Sequence, residues 1–116
     1  MKSLFVLNDA PYGTERSYNG LRLAGALGKS AENEVRVFLI GDAVTCAKAG
    51  QKVPQGFYNI ELMVNRVIRG KGQVGLCGSC MDARGIAVTE IVEGSHRSSM
   101  EELAQWTQWA DKVVVF

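Results

Sequence analysis

Glu34-Val35-Arg36-Val37-Phe38-Leu39-Ile40, followed at once by Gly41-Asp42, is the stretch that decides the fold class. Only Arg36 interrupts the apolar run. A strand with one wet face alternates apolar and polar residues, whereas a nearly continuous apolar strand is covered on both sides, as in a parallel sheet between helical layers. Upstream, Lys2 to Asn8 carries the same kind of run in Leu4 to Leu7 and ends in the turn formers Asn8 to Gly13. Downstream, Gln73 to Leu76 and Val113 to Phe116 read as further strands, and Ser95 to Arg97 as a weak polar one.

Helical patterns fill the intervals. Thr14 is placed to cap a helix running to Leu27, with Leu23, Ala24 and Leu27 on one face and Gly28 at its exit. Gly20, Ala24 and Gly25 allow another element to approach closely. A short helix is predicted near Ala43 to Ala49, then a loop from Gly50 to Gly56. Ile60, Met63, Val64, Val67 and Ile68 follow the i, i+3, i+4, i+7, i+8 spacing of an amphipathic helix stopped by Gly70. Ile86 to Val92 fits helix and strand equally. Ser98 and Ser99, each followed three residues later by a glutamate, begin a last helix with Met100, Leu103, Ala104 and Thr107 as its apolar face. Trp106 and Trp109 cannot both lie on that face, which leaves one for a partner subunit or a crevice wall. The alternation predicts a single domain over residues 1–116, a three-layer α/β/α sandwich with a mainly parallel five-stranded sheet.

Composition sets the functional limits. The chain is 47% hydrophobic and 22% charged with a formal net charge of +1, and both signs are scattered. That balance offers no electrostatic basis for nucleic acid or an anionic membrane. Its longest apolar runs fall far short of the ~20 residues of a membrane span, so a soluble, cytoplasmic protein is expected. Three cysteines, two of them in one C-x-x-C, point to a reducing compartment and to chemistry rather than a disulfide framework.

Two apparent phosphate motifs fail on context. Gly70-Lys71-Gly72-Gln73-Val74-Gly75 satisfies G-x-G-x-x-G but follows a helix and enters a strand, the reverse of a dinucleotide fingerprint. Gly28-Lys29-Ser30 resembles the end of a phosphate loop, yet its required first glycine is replaced by Leu23. A single histidine and no G-x-S-x-G leave a serine triad unsupported. In parallel sheets ligands sit beyond the carboxyl ends of the strands, so Asp9, Tyr12, Gly13, Asp42, Gly78, Ser79 and His96 are the expected lining of one crevice.

The chemistry-bearing stretch is Leu76-Cys77-Gly78-Ser79-Cys80-Met81-Asp82-Ala83-Arg84-Gly85. It puts Cys77 where a strand turns into a short helix, and the unpaired N–H groups there favour a thiolate. A gain of about 1 to 2 kcal/mol would lower a thiol from about 8.5 to roughly 7 to 7.5. Arg84 adds positive charge if it folds back, and Cys80 stands at the usual place of a resolving thiol. Cys46 reads as packing. A zinc site from Cys77, Cys80, His96 and Cys46 has only half a tetrahedral shell with metal spacing, so no metal or cofactor is expected.

Together, Asn8-Asp9-Ala10-Pro11-Tyr12-Gly13, Leu76-Cys77 through Arg84-Gly85-Ile86, and Leu103-Ala104-Gln105-Trp106-Thr107 leading to Ala110-Asp111-Lys112-Val113 and Phe116, resemble the DsrE/DsrF-like family, with the nearest likeness in its YchN branch. The resemblance covers essentially the whole chain. It implies a five-stranded three-layer fold, assembly into homotrimers or homohexamers, and a persulfide on the cysteine seven residues before the Arg-Gly pair, here Cys77. Sulfur donor and acceptor proteins would then be partners. Three functions follow: a sulfur relay with Cys77 as acceptor, a thiol oxidoreductase cycling Cys77 and Cys80, or a non-catalytic small-anion-binding or assembly module.

Overall fold

The computed structural model describes all residues 1–116. Its elements are β1 (Lys2–Leu7), α1 (Arg16–Leu27), β2 (Glu34–Leu39), a 3-10 helix (Gly41–Ala47), α2 (Ile60–Arg69), β3 (Gln73–Cys77), α3 (Gly78–Ala83), a 3-10 turn (Val88–Glu90), β4 (His96–Ser98), α4 (Met100–Trp109) and β5 (Lys112–Val115). The five strands form one sheet in the order β4-β3-β2-β1-β5. Every pairing is parallel, so the sheet is wholly rather than mainly parallel.

Register sorts the strand side chains into two faces. Phe5 pairs with Val37 and Val37 with Val74, while Leu7 pairs with Leu39 and Leu39 with Leu76. All six are buried and look toward α1 and α2. The approach of α1 depends on Gly20: a Cβ there would lie 2.6 Å from Leu7 Cδ2 and 3.2 Å from the Phe116 ring. On the opposite face Phe38 and Gly75 receive α4 through Trp106, whose ring meets Phe38 edge-on at 6.2 Å. The sheet is thus the middle of three layers, and the continuous apolar strands are the consequence.

Local rules hold best where packing agrees with them. In α2 the buried residues are Ile60, Met63, Val64 and Val67, and the Asn59 side chain caps the helix by accepting from the Leu62 N–H. Two helices correct the sequence reading. Thr14 does not cap α1; its hydroxyl donates to Asp9 and the helix starts at Arg16 without a side-chain cap. The buried face of α1 is Ser17, Gly20, Leu21 and Ala24, with Leu23 exposed, because small residues let the helix sit down on Leu7 and Phe116. In α4 the inward residue is Trp106, and Met100, Ala104 and Thr107 face outward. One large ring against Phe38 and Gly75 settles the helix rotation over a weak stripe of small residues. Trp109 is not left open either, since the Arg36 guanidinium lies 3.9 Å from its ring centre and Lys2 at 5.9 Å. Ile86 to Val92, undecided from sequence, forms the 3-10 turn and one antiparallel bridge from Ile91 to Lys48. No helix is long and apolar enough to cross a membrane.

Candidate thiol site at the strand ends

The carboxyl ends of β1, β2 and β3 deliver three connections to one rim of the sheet. Gly41 takes φ +60 as the chain leaves β2, a conformation that suits glycine, and its N–H donates to Cys80 Sγ at 3.2 Å. Asp42, next along, accepts from Arg84 Nη2 at 2.7 Å and Nε at 3.1 Å, and Arg84 Nη1 donates to the Cys80 carbonyl at 3.0 Å. The first connection joins through its backbone, the Asp9 carbonyl accepting from Ser17 Oγ at 2.7 Å and from Cys46 Sγ at 3.5 Å.

Cys77 is both the last residue of β3 and the N-cap of α3, which sets its thiol near the start of a helix although no helix N–H donates to it as a cap. Its Sγ lies 3.3 Å from Ser79 Oγ. Burial pushes the thiol up, but the neighbouring Cys80 thiol, the Ser79 hydroxyl and the nearby N–H groups of Cys80 and Ser79 outweigh it, and the net direction is downward. Cys80 moves the opposite way: burial, then the neighbouring Cys77 thiol, raises it against the smaller help of Gly41 N–H and Arg84. Of the two thiols, Cys77 is the one whose surroundings favour the charged form. Cys46, fully buried, is pushed up to about 12 by burial and is inert packing in the native state.

Sequence reasoning placed Cys77, Gly78, Ser79, Cys80, Asp42 and Arg84 in one site, and the structure gathers all six. It corrects two details. Cys77 is only 7% exposed, less open than an attacking thiol would suggest, and Cys80 is the more open of the two. Arg84 does fold back, but onto Asp42 and the Cys80 carbonyl, so its charge acts on Cys80. The remaining expected lining lies elsewhere. Tyr12 donates to Gln51 and accepts from the Ile60 N–H, tying its loop to the start of α2, while Gly13 at φ +109 is an exposed turn. The Asp9 carboxylate is held by Thr14 and Arg16. His96 opens β4 opposite Gly75, packs edge-on against Trp106 and pairs with Glu102, below the crevice. No three His, Cys, Asp or Glu side chains converge as metal ligands would.

One member was missed. Arg97 of β4 lays its guanidinium on Gly78, where a Cβ would approach it to 2.8 Å, and binds Asp82 through both terminal nitrogens at 2.7 and 2.9 Å. Asp82 raises the basicity of Arg97 first, and the Cys77 charge adds to it. That attraction is mutual. The only signal in the sequence was an arginine on a strand one residue out of phase with its neighbour His96.

A family model described as the DsrE/DsrF-like family matches residues 1–116. The chain is 44% identical over 116 residues to protein YchN of Escherichia coli K12, covering 99% of this chain and 98% of that protein. It is 35% identical over 117 residues to the uncharacterised protein MJ0989 of Methanocaldococcus jannaschii, covering both chains in full. The crystal structure of the Escherichia coli YchN protein superposes with a TM-score of 0.93 at 43% identity, over 99% of this chain and 98% of that one. Protein MTH1491 of Methanobacterium thermoautotrophicum shares the fold alone, with a TM-score of 0.77 at 10% identity over 99% and 98% of the two chains.

Proposed function

The chain belongs to the DsrE/DsrF-like family over its whole length, and from that premise we propose that it is a sulfur-relay protein of the cytoplasm that holds sulfane sulfur on Cys77 as a persulfide. The observation that carries the proposal is the seat of Cys77 at the junction of β3 and α3, its Sγ 3.3 Å from the Ser79 hydroxyl and Cys80 one helical turn on with its own Sγ taken by the Gly41 N–H, surroundings that favour the thiolate of Cys77. A thiolate at neutral pH is the species that attacks sulfur. In the loading step Cys77 Sγ attacks the terminal sulfur of a donor persulfide, an S–S bond forms to Cys77, the donor's S–S bond breaks, and the donor leaves as a thiolate. Delivery is the same exchange run toward an acceptor, and no net oxidant is consumed. The Ser79 hydroxyl, 3.3 Å from Cys77 Sγ, is the neighbouring group that could donate to the persulfide. Three free cysteines suit a reducing cytoplasm.

Intact mass after exposure to a sulfane-sulfur donor tests the reading. A carrier gains one sulfur on a peptide containing Cys77. The C-x-x-C spacing favours a second reading: Cys77 and Cys80 stand one helical turn apart, both free thiols, and could cycle between dithiol and disulfide when an oxidised partner disulfide accepts the two electrons. That outcome is a loss of two hydrogens with no sulfur gained. Self-assembly, with donor and acceptor proteins docking on the rim around α3, belongs to the same proposal.

A further inference from the structure

The two segments that fail separately as phosphate loops, Gly28-Lys29-Ser30 and Gly70-Lys71-Gly72, both line a single cleft. It opens at the amino ends of β2 and β3, the far end of the sheet from Cys77, and has a volume of about 630 Å³. Small-molecule sites run from about 300 to 1,000 Å³. Glycine lets the chain entering β3 pack closely against the end of α2, which forms one side of the cleft. A Cβ on Gly72 would fall 2.7 Å from Val67 Cγ1 and 2.9 Å from the Val67 carbonyl, and Gly70 faces the Gly28 carbonyl at 3.9 Å. Lys71, the one non-glycine residue with positive φ, sits at 69° in the turn between them.

Charge is what sets the cleft apart. Lys29, Arg66, Arg69 and Lys71 border it with Glu34 as the single carboxylate, four cations less one anion, or +3. None of the four is in an ion pair; the chain's pairs use Arg16, Lys48, Arg84, His96 and Arg97. The bland account is that they offset the carbonyl ends of α1 and α2, which both terminate here. Those two ends supply about half a negative charge each, so roughly two positive charges remain uncompensated. The backbone N–H groups of both segments are already spent on Ala24, Ala26, Leu27, Arg66, Ile68 and Val67 carbonyls. Recognition therefore falls to side chains, unlike a phosphate loop. No aromatic ring lines the cleft, so nothing there stacks a base.

We propose that this cleft binds a compact small molecule bearing linked phosphoryl groups, held by Lys29, Arg66, Arg69 and Lys71. One phosphoryl group carries about −1.5 to −2 at neutral pH and by itself matches the roughly two uncompensated charges; a linked second group lets one ligand engage Lys29 of the first segment together with Arg66 and Arg69 of α2 and Lys71 of the second. Calorimetric titration with inorganic pyrophosphate, against sulfate at matched ionic strength, is the test. Pyrophosphate should saturate one site per chain and bind at least about tenfold tighter than sulfate. Combining Lys29→Gln, Arg69→Gln and Lys71→Gly should weaken it at least about tenfold while the alkylation profile of Cys77 stays as in the wild type. Glu34→Gln, which removes the one carboxylate and leaves every cation, should tighten binding. Equal binding of pyrophosphate and sulfate, or a triple variant that binds like the wild type, overturns the proposal. Should the triple variant not fold, unchanged or weaker binding by Glu34→Gln overturns it as well.

Discussion

At the scale of single residues the thiols divide by their surroundings. Cys77 sits at a helix start beside the Ser79 hydroxyl, Cys80 Sγ accepts from the Gly41 N–H, and Cys46 is closed off near Asp9 and Ser17. Alkylation rates against pH, followed site by site on the wild-type protein by peptide mapping, should therefore level off for Cys77 below the ordinary thiol value, and for Cys80 above it. Cys46 should react only once the chain is unfolded. A faster rate for Cys80 than for Cys77 at neutral pH would show that exposure outweighs thiolate fraction and would move the site. Substitution separates the two functional readings. Cys77→Ser should abolish sulfur loading, while Cys80→Ser should leave it intact or longer-lived, because a neighbouring thiol can attack the persulfide and release sulfide. Equal loss in both, with the wild type gathering a disulfide between the two, is the result the redox reading requires.

At the scale of elements, β4 and α4 are joined by a polar cluster under Trp106. Glu102 accepts from Ser98 and pairs with His96. Burial raises its carboxyl, but the Ser98 and His96 hydrogen bonds outweigh burial and hold it below its ordinary 4.5. A carboxyl that titrates lower in the folded state than in the unfolded one stabilises fully above the unfolded value, and the stabilisation is lost as pH falls through the folded value. Urea denaturation at a series of acidic pH values should show wild-type stability falling below about pH 4.5, with Glu102→Gln less stable at neutral pH and flatter across that window. An equally steep acid limb in the variant would put the titration elsewhere. On the rim, Gly78→Ala would place a methyl group 2.8 Å from the Arg97 guanidinium and push it from its seat. The measurable consequence is a Cys77 alkylation profile shifted toward higher pH, smaller than the shift from Ser79→Ala, since hydrogen bonds hold the thiolate more than the distant charge does.

For the whole molecule, β5 is an edge strand beside β1 with Val113 44% and Val115 64% exposed, and Lys112 is the only charge on it. Edge strands in lone subunits are usually blunted by charge, proline or a covering element. The tryptophan expected to mark a partner surface is instead covered by Arg36, so the apolar edge is what argues for self-assembly. Light scattering at micromolar concentration should give an assembly of three or six chains, and replacing Val113 and Val115 by lysine should lower its mass. A wild type that stays monomeric under those conditions would refute the expectation.

The sequence by itself determined the layer architecture, because runs such as Val37 to Ile40 are stable only when both strand faces are covered, and the spacing in α2 admits one buried face. It also placed Cys77 at a strand-to-helix junction, a local fact of chain order. What it could not decide were rotations and reach. α4 turned on one tryptophan finding Phe38 and Gly75, α1 on small residues meeting Leu7, and Arg84 and Arg97 on which carboxylates, Asp42 and Asp82, lay within a side chain's length. Those outcomes rest on residues more than a dozen positions apart in the chain, and only packing brings them within a few ångströms. The same holds for Gly28-Lys29-Ser30 and Gly70-Lys71-Gly72: local context rightly rejected each as a loop, while their meeting in one cleft is a property of how α1 and α2 end side by side.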